Sequence, residues 1–153
     1  MTTTKEFKFR LAGFSILAPS TWHKPPLLKR LMYPFQPELF GPGGPGYEFI
    51  WFDKPFIVNE DLLLKKMKDH LKASVEVRGN RILQEGEIII NGKQYPTIIF
   101  EKHRHQYAPT TMKRYCYVLN NKFYTIGVRL THNNFECYSE SGYDFIVQSI
   151  KKI

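Results

Sequence analysis

The sequence predicts a single α+β domain in which a central antiparallel β-sheet of about six strands is flanked by helices. Three observations predict this class. Apolar runs of strand length follow one another between residues 82 and 130, Asn-containing turn dipeptides separate them, and segments with helical periodicity precede and follow this stretch. The 153 residues are a common length for one domain, so we assign residues 1–153 to a single domain.

The chain opens with two strand-like runs, residues 7–11 and 14–18, and only Ala12 and Gly13 lie between them. A short connection that contains glycine predicts a β-hairpin. Pro19 ends the second run, because proline cannot donate a ladder hydrogen bond. Trp22 follows closely, and we expect its large ring to pack into one end of the core.

Residues 25–46 differ in composition from the rest, with six of the ten prolines and four of the ten glycines. Both residue types oppose regular structure, so we predict an irregular segment with one short helix after Pro25 and Pro26. Its large apolar side chains have two interpretations: a loop that covers the core, or a surface that binds an apolar partner segment. The candidate partner-binding residues are Trp22, Lys29, Arg30, Met32, Tyr33, Phe35 and Phe40.

Residues 47–52 form a further strand candidate, and an amphipathic helix follows it. Asn59 is the expected N-cap of this helix, and Glu60 and Asp61 are placed in its first turn, where negative charge complements the helix dipole. Its apolar positions are Leu63, Leu64, Met67 and Leu71. Lysines occupy the other side, which predicts a helix lying on the sheet.

Four strand-like runs then form the expected antiparallel meander: residues 82–90, 95–103, 112–119 and 123–130. Asn91-Gly92 and Asn120-Asn121 favour the positive φ angles of tight hairpin turns, so neighbouring runs should pair. In the last two runs, the alternation assigns one set of apolar side chains to one face and a second set to another. The sets are Tyr115, Tyr117 and Leu119, and Tyr124, Ile126, Val128 and Leu130.

A closing helix is predicted after Thr131, where the apolar residues return to helical spacing. These residues are Phe135, Tyr138, Phe145, Ile146 and Ile150. We expect an interruption near Gly142. Lys151 and Lys152 are placed at the C-terminal end of the helix, where positive charge complements the dipole.

Charge and hydropathy narrow the classes of partner. The formal net charge of +8 attracts acidic proteins, anionic lipids or nucleic acid. The basic residues are spread without a recognisable motif, so specific nucleic-acid binding is not expected.

No apolar run reaches the ~18 residues of a membrane span, and residues 1–10 lack a signal-peptide core. As written, the sequence predicts a cytoplasmic protein; if a leader has been trimmed, it predicts an exported or lipid-anchored one.

The candidate catalytic and metal-binding groups all have plainer structural interpretations. His103 and His105 occupy alternate positions near a strand end, but their basic neighbours disfavour a cation. Three glutamates lie on the two strands that the Asn-Gly turn joins. Charged residues that alternate with apolar ones along a strand are typical of a solvated sheet face. The three glutamates are Glu85, Glu87 and Glu101.

The glycines of residues 41–46 resemble a phosphate-binding loop, yet two prolines remove the backbone N–H groups that such a loop needs. Cys116 and Cys137 are interpreted as two buried thiols, and the sequence does not decide whether they form a disulfide. We therefore expect no enzyme activity, no metal and no cofactor.

Four features of the chain occur in this order: the hairpin ending in Pro19-Ser20-Thr21-Trp22, the single central helix, the long meander with its Asn-Gly turn, and the closing residues 145–150. In these features the chain resembles the superfamily of PsbP, DcrB and the Mog-type Ran-binding proteins. The resemblance covers most of the chain. It implies a central antiparallel sheet of about six strands covered by helices, with Trp22 packed at one sheet end. Members are mostly binding proteins: photosystem accessory subunits, a Ran-release factor, bacterial envelope lipoproteins and chaperones for secreted effectors. It implies no catalytic residue.

The leading hypothesis is therefore a non-enzymatic accessory, adaptor or chaperone-like protein that binds another polypeptide, either acidic or with an apolar segment. A carrier of an apolar or anionic small ligand is the first alternative, and an uncharacterised hydrolase is the second. The basic surface and the segment of residues 25–46 depart from the family pattern.

Overall fold

The computed structural model of the chain describes residues 3–43, 48–58, 61–103, 108–132 and 135–153. The strands in these ranges are β1 (Thr4–Phe9), β2 (Phe14–Pro19), β3 (Glu38–Phe40), β4 (Phe49–Phe52), β5 (Phe56–Ile57), β6 (Arg81–Ile90), β7 (Lys93–Lys102), β8 (Thr110–Leu119), β9 (Lys122–Arg129), β10 (Thr131–His132), β11 (Phe135–Glu136) and β12 (Lys151–Lys152). The helices are α1 (Leu27–Met32), α2 (Leu64–Glu76) and α3 (Glu140–Gln148).

The main sheet confirms the α+β class but has seven strands in the described ranges rather than about six. Its order is β3-β4-β9-β8-β7-β6, β5 also pairs with β9, and every pairing is antiparallel. Two of its strands, β3 and β5, were not predicted. Strand β3 lies in the proline-rich segment that was expected to be irregular. Its prolines flank the paired run, Phe40 also bridges to His23, and Leu39 pairs with Ile50 and is fully buried.

The meander is the predicted one, and its two tight turns have the predicted geometry. Asn91 and Gly92 have φ of 50° and 79°, and Asn120 and Asn121 have φ of 51° and 60°. Positive φ at both central residues is the signature of a type I′ hairpin turn.

The two aromatic sets of β8 and β9 lie on the same face, so their assignment to different faces was wrong. Tyr115 pairs with Ile126, and Tyr117 pairs with Tyr124. Directly opposed residues of neighbouring strands project to the same side of a sheet. Period-2 alternation shows that each strand has an apolar face, but only the register shows that the faces coincide.

Helix α2 covers one face of the sheet and packs on β6, β7 and β8. Its buried residues are Met67, Leu71 and Val75. The helix begins later than predicted, because Leu63 is the N-cap residue and makes no side-chain capping bond. Asp61 therefore precedes the helix, while Asn59 and Glu60 lie outside the described residues.

A second sheet, ordered β1-β2-β12, and helix α3 lie over the other face. Trp22 is 4% exposed and packs edge-on against Tyr138 and Tyr143, so the expected placement of its ring in the core is confirmed. The opening hairpin thus contributes core residues without joining the main sheet.

The end of the chain differs from its prediction in three respects. Phe135 belongs to strand β11, which pairs with β10, and not to the closing helix. Helix α3 starts at Glu140, is capped by Ser139, and continues through Gly142 without interruption. Lys151 and Lys152 form β12 on the edge of β2, because Ser149 ends the helix and the chain turns back onto the hairpin.

Candidate partner-binding surface

Helix α1 lies on the surface with none of its residues buried. Two prolines precede it, and Pro26 takes the N-cap position with φ of −53°, a value that proline adopts without strain. A six-residue helix is too short to be stable alone. The Lys29 ammonium holds it through a 2.6 Å ion pair with Glu38, and the same group lies over the Phe40 ring.

The apolar side chains of α1 all face solvent: Leu27, Leu28, Leu31 and Met32 are 61–71% exposed. Tyr33 and Phe35 continue this exposed apolar surface beyond the helix. The interpretation of residues 25–46 as a core-covering loop therefore does not fit the helical part, although Leu39 of the same segment is buried.

The seven predicted partner-binding residues divide by depth. Exposed at the surface are Lys29, Arg30, Met32, Tyr33 and Phe35. Phe40 is half-buried and stacks on Phe49 at 5.1 Å between ring centroids. Trp22 lies in the core, so it supports the segment from inside and has little surface to offer a partner.

A groove of about 380 Å³ separates α1 from the turn of the opening hairpin. Phe9, Arg10 and Leu11 line its hairpin side, and Leu27 and Leu31 line its helix side. We call this space the hairpin–helix groove. The sequence analysis did not identify Arg10 and Leu11, because it placed both in the first strand-like run and their proximity to α1 depends on a tertiary contact between distant segments.

Cations gather around this groove. The Nζ of Lys24 lies 4.8 Å from the centroid of the Phe9 ring and donates a hydrogen bond to the carbonyl of Lys8. Burial lowers the pKa of Lys24, and the nearby charges of Arg30, Arg10 and Lys5 lower it further. The groove thus combines apolar walls with a positive potential.

No protein-family model matches the sequence, and no curated protein matches it. Solved structures do match. The solution structure of cyanobacterial PsbP from Synechocystis sp. PCC 6803 matches with a TM-score of 0.55 and 9% identity, over 100% of this chain and 94% of that one. The protein has a PsbP-like fold. The resemblance predicted from the sequence is thus confirmed for the architecture.

A second match is a crystal structure at 1.50 Å of a protein from Bacteroides thetaiotaomicron VPI-5482, with a TM-score of 0.59 and 11% identity. The match covers 100% of this chain but 49% of that one, so the domain spans about half the length of the Bacteroides protein. Identities this low show the fold alone.

The sequence analysis also missed a buried charged cluster. Lys113 is 6% exposed, and its Nζ lies 2.8 Å from Glu140 Oε1 and 2.9 Å from Asp144 Oδ1. The hydroxyl of Tyr115 donates to the same Asp144 oxygen. The cluster joins β8 of the sheet to α3, and its groups all have partners within the fold.

The other polar candidates take structural positions. His103 forms a 2.6 Å contact with Glu101, while His105 lies outside the described residues. Glu87 pairs with Lys68 at 2.9 Å, in agreement with the interpretation of a solvated strand face. Among the described residues there is no group of three or more metal-ligating side chains.

Both cysteines are free thiols in the structure. Cys116 is buried on the sheet, and burial raises the pKa of its thiol to about 12. Cys137 is only partly buried, in contrast to the expectation of two buried thiols. None of the helices in the described part of the chain has the length and apolarity needed to cross a bilayer.

Proposed function

We propose that this PsbP-like domain is a non-enzymatic accessory or adaptor-like protein that binds another polypeptide through α1 and the hairpin–helix groove. One observation carries the proposal: α1 presents four large apolar side chains to solvent while burying none of its residues. Contiguous exposed apolar surface beside charged residues is typical of interaction sites. The likeness to PsbP supports an accessory role in general terms and names no partner.

Covering this surface would supply a substantial part of a binding free energy. Complete burial of a Leu or Met side chain contributes roughly 1.5–3 kcal/mol, so covering the remaining exposed parts of four such side chains contributes on the order of 4–8 kcal/mol. Association costs several kcal/mol. We therefore expect the four side chains to dominate the affinity, with the cations setting orientation and rate of encounter.

Site-specific photo-crosslinking tests this proposal. A photoreactive amino acid placed at Leu28 of the full chain, expressed in the native host, should yield a discrete polypeptide adduct. The matched control is Val77, which is 82% exposed and lies just after α2. The adduct at position 28 should disappear when Leu31 and Met32 are changed to Ser. Equal adducts at both positions, or none at position 28, would contradict the proposal.

A small-ligand carrier remains the second candidate, because the hairpin–helix groove has a volume within the range of ligand sites. Its walls include Leu11 and Leu31, and its rim is cationic. A carrier predicts that dodecanoate raises the melting temperature and that Leu11→Ser abolishes this rise. A polypeptide-binding surface predicts no dodecanoate effect and a loss of the Leu28 adduct in the same variant.

A further inference from the structure

Among the strands of the described ranges, β1 pairs only with β2 and forms an open edge of the second sheet, because the strand order is β1-β2-β12. The carbonyl of Thr3 accepts a hydrogen bond from the amide of Ser20 at 2.9 Å. In an antiparallel ladder, alternate residues direct both backbone groups to the partner strand. The N–H and C=O groups of Thr4, Glu6 and Lys8 therefore point away from β2. The bond from Lys24 to the Lys8 carbonyl agrees with this direction.

Two neighbouring cavities lie along this open edge. The hairpin–helix groove, of about 380 Å³, includes Lys8 and Phe9 of the strand, and a second cavity of about 530 Å³ includes Lys5 and Phe7. The two cavities share Lys8, Lys24 and Arg30. An extended chain advances about 3.3 Å per residue, so a segment of five or six residues matches the length of β1.

The charge around the edge is mainly positive, because the two cavities are lined by the carboxylates of Glu6 and Glu38 but by six cations: Lys5, Lys8, Arg10, Lys24, Lys29 and Arg30. Lys24 has three cations as its charged neighbours, Arg30, Arg10 and Lys5. The carboxylate of Glu38 is engaged by Lys29. In the described ranges of the chain, neither Lys24 nor Arg30 forms an ion pair with a carboxylate. An acidic segment would find favourable charge here, and a basic one would be repelled.

Lysines on an edge strand often prevent pairing by remaining solvated. Lys24 differs from such a residue, because its ammonium is partly buried over the Phe9 ring and occupies one outward carbonyl. The apolar side chains of Leu11, Leu27 and Leu31 also stand beside the edge. Edge-strand recognition joins backbone hydrogen bonds to pockets for alternate side chains, and this edge offers both.

We propose that an extended, acidic segment of the partner polypeptide adds to β1 as a fourth strand of the second sheet. Its backbone pairs with Thr4 and Glu6 and with the N–H of Lys8, whose carbonyl already accepts from Lys24. Its apolar side chains enter the hairpin–helix groove, and its carboxylates face Lys24, Arg30 and Arg10. This inference rests on the proposed polypeptide-binding function and specifies the conformation and charge of the bound segment.

The first test uses a fluorescent ten-residue peptide of alternating Glu and Val. It is compared with a peptide in which Lys replaces Glu and with one whose alternate amides are N-methylated. Anisotropy with the full chain should detect binding of the acidic peptide, at least tenfold weaker binding of the N-methylated one, and none of the Lys peptide. Equal binding of the acidic and N-methylated peptides overturns strand addition, as does no binding of the acidic peptide.

The second test locates the bound strand by amide hydrogen exchange. The acidic peptide should slow exchange at Thr4, Glu6 and Lys8, whereas Lys5 and Phe7, whose amides face β2, should change little. Glu6→Pro removes one outward N–H at an edge position that tolerates proline, and it should weaken binding at least tenfold relative to Glu6→Ala. Binding without protection of the three outward amides overturns the proposal.

Two further outcomes separate this inference from its alternatives. If the protein binds vesicles of phosphatidylglycerol and phosphatidylcholine but not the acidic peptide, the cations belong to a membrane-binding surface and the proposal is overturned. If two copies of the protein form a dimer that protects the same three amides, the proposal is overturned as well. A Leu28 adduct obtained alongside failure of the acidic peptide removes strand addition alone. Absence of that adduct removes the proposed function itself.

Discussion

The ammonium of Lys113 is buried at an inward position of β8, and two acidic residues of α3 make this burial tolerable. An unpaired buried charge costs several kcal/mol, whereas a charge with two carboxylates and good geometry does not. Asp144 is the central acceptor, since it receives both Lys113 and the hydroxyl of Tyr115. Glu140 also contacts Lys113, but 47% of its side chain is exposed.

We expect Asp144→Ala to lower the free energy of unfolding by about 3 kcal/mol, because it leaves a buried ammonium and a buried hydroxyl short of an acceptor. The matched control is Glu140→Ala, which removes an exposed partner of the same ammonium and should cost less than about 1 kcal/mol. Urea denaturation of the three proteins measures both values. Equal losses would show that Asp144 has no special place in the cluster.

Among the elements, the β8–β9 hairpin shows how local chemistry determines pairing. Asn120 and Asn121 both adopt positive φ, which asparagine tolerates better than most residues but less well than glycine. The long ladder from Met112 to Leu119 depends on this two-residue turn, because one added or removed residue would reverse the faces of β9.

Asn121→Gly should therefore raise the free energy of unfolding by a few tenths of a kcal/mol, since Asn-Gly is the preferred pair for a type I′ turn. Asn121→Val should lower it by about 1–2 kcal/mol, because a β-branched residue strongly disfavours positive φ. Thermal melts followed by circular dichroism compare the variants. If the Asn121→Val variant had the same melting temperature as the parent protein, the turn geometry described for Asn121 would be incorrect.

The long strands were predicted to within about two residues at each end, because alternation and Asn turns are local signals. Strands β2 and β4 and the short helix α1 were also predicted, whereas β3, β5, β10, β11 and β12 were not. Strand β12 is stabilised by pairing with β2, some 130 residues earlier in the chain, so its lysines resembled a helix end. Helix α2 begins after the expected Asn59 cap and the acidic residues assigned to its first turn. Its N-cap is Leu63, which makes no side-chain capping bond, so no local polar signal marks its start.

For the molecule as a whole, the aromatic core predicts a characteristic response to alkali. Burial raises the pKa of Tyr95 to about 12 and that of Cys116 to about 12, from ordinary values of 10.0 and 9.0. Burial also raises the pKa of Tyr115, Tyr124, Tyr138 and Tyr143, and for Tyr115 the bond to Asp144 adds to it. Above about pH 9, the unfolded chain thus loses protons that the folded protein keeps.

Stability should therefore be constant with respect to these groups below pH 9, fall as the pH rises, and continue to fall through pH 12. Urea midpoints at half-unit steps from pH 8 to 11 provide the measurement. Tyr95→Phe should make the decline shallower, because it removes one of the protons that folding retains. A midpoint independent of pH across this range would show that these side chains are accessible to solvent in the folded protein.

Part of the partner-binding surface could be predicted from the sequence. Met32, Tyr33 and Phe35 were predicted from an unusual density of apolar residues among prolines, and they are exposed as a binding role requires. The charges were predicted only in part, because Arg10 belongs to the hairpin and meets Lys24 through folding alone. Their binding role stays a prediction until the crosslinking experiment is done.

Local patterns alone determined the class of the fold, the four meander strands and their turns, and the short helix after two prolines, because each depends on residues within about ten positions. Tertiary structure decided which faces coincide, that the opening hairpin recruits the end of the chain, and that Lys113 is buried. It also left the edge of β1 open beside an apolar helix. These features depend on contacts between distant segments, which no local periodicity encodes.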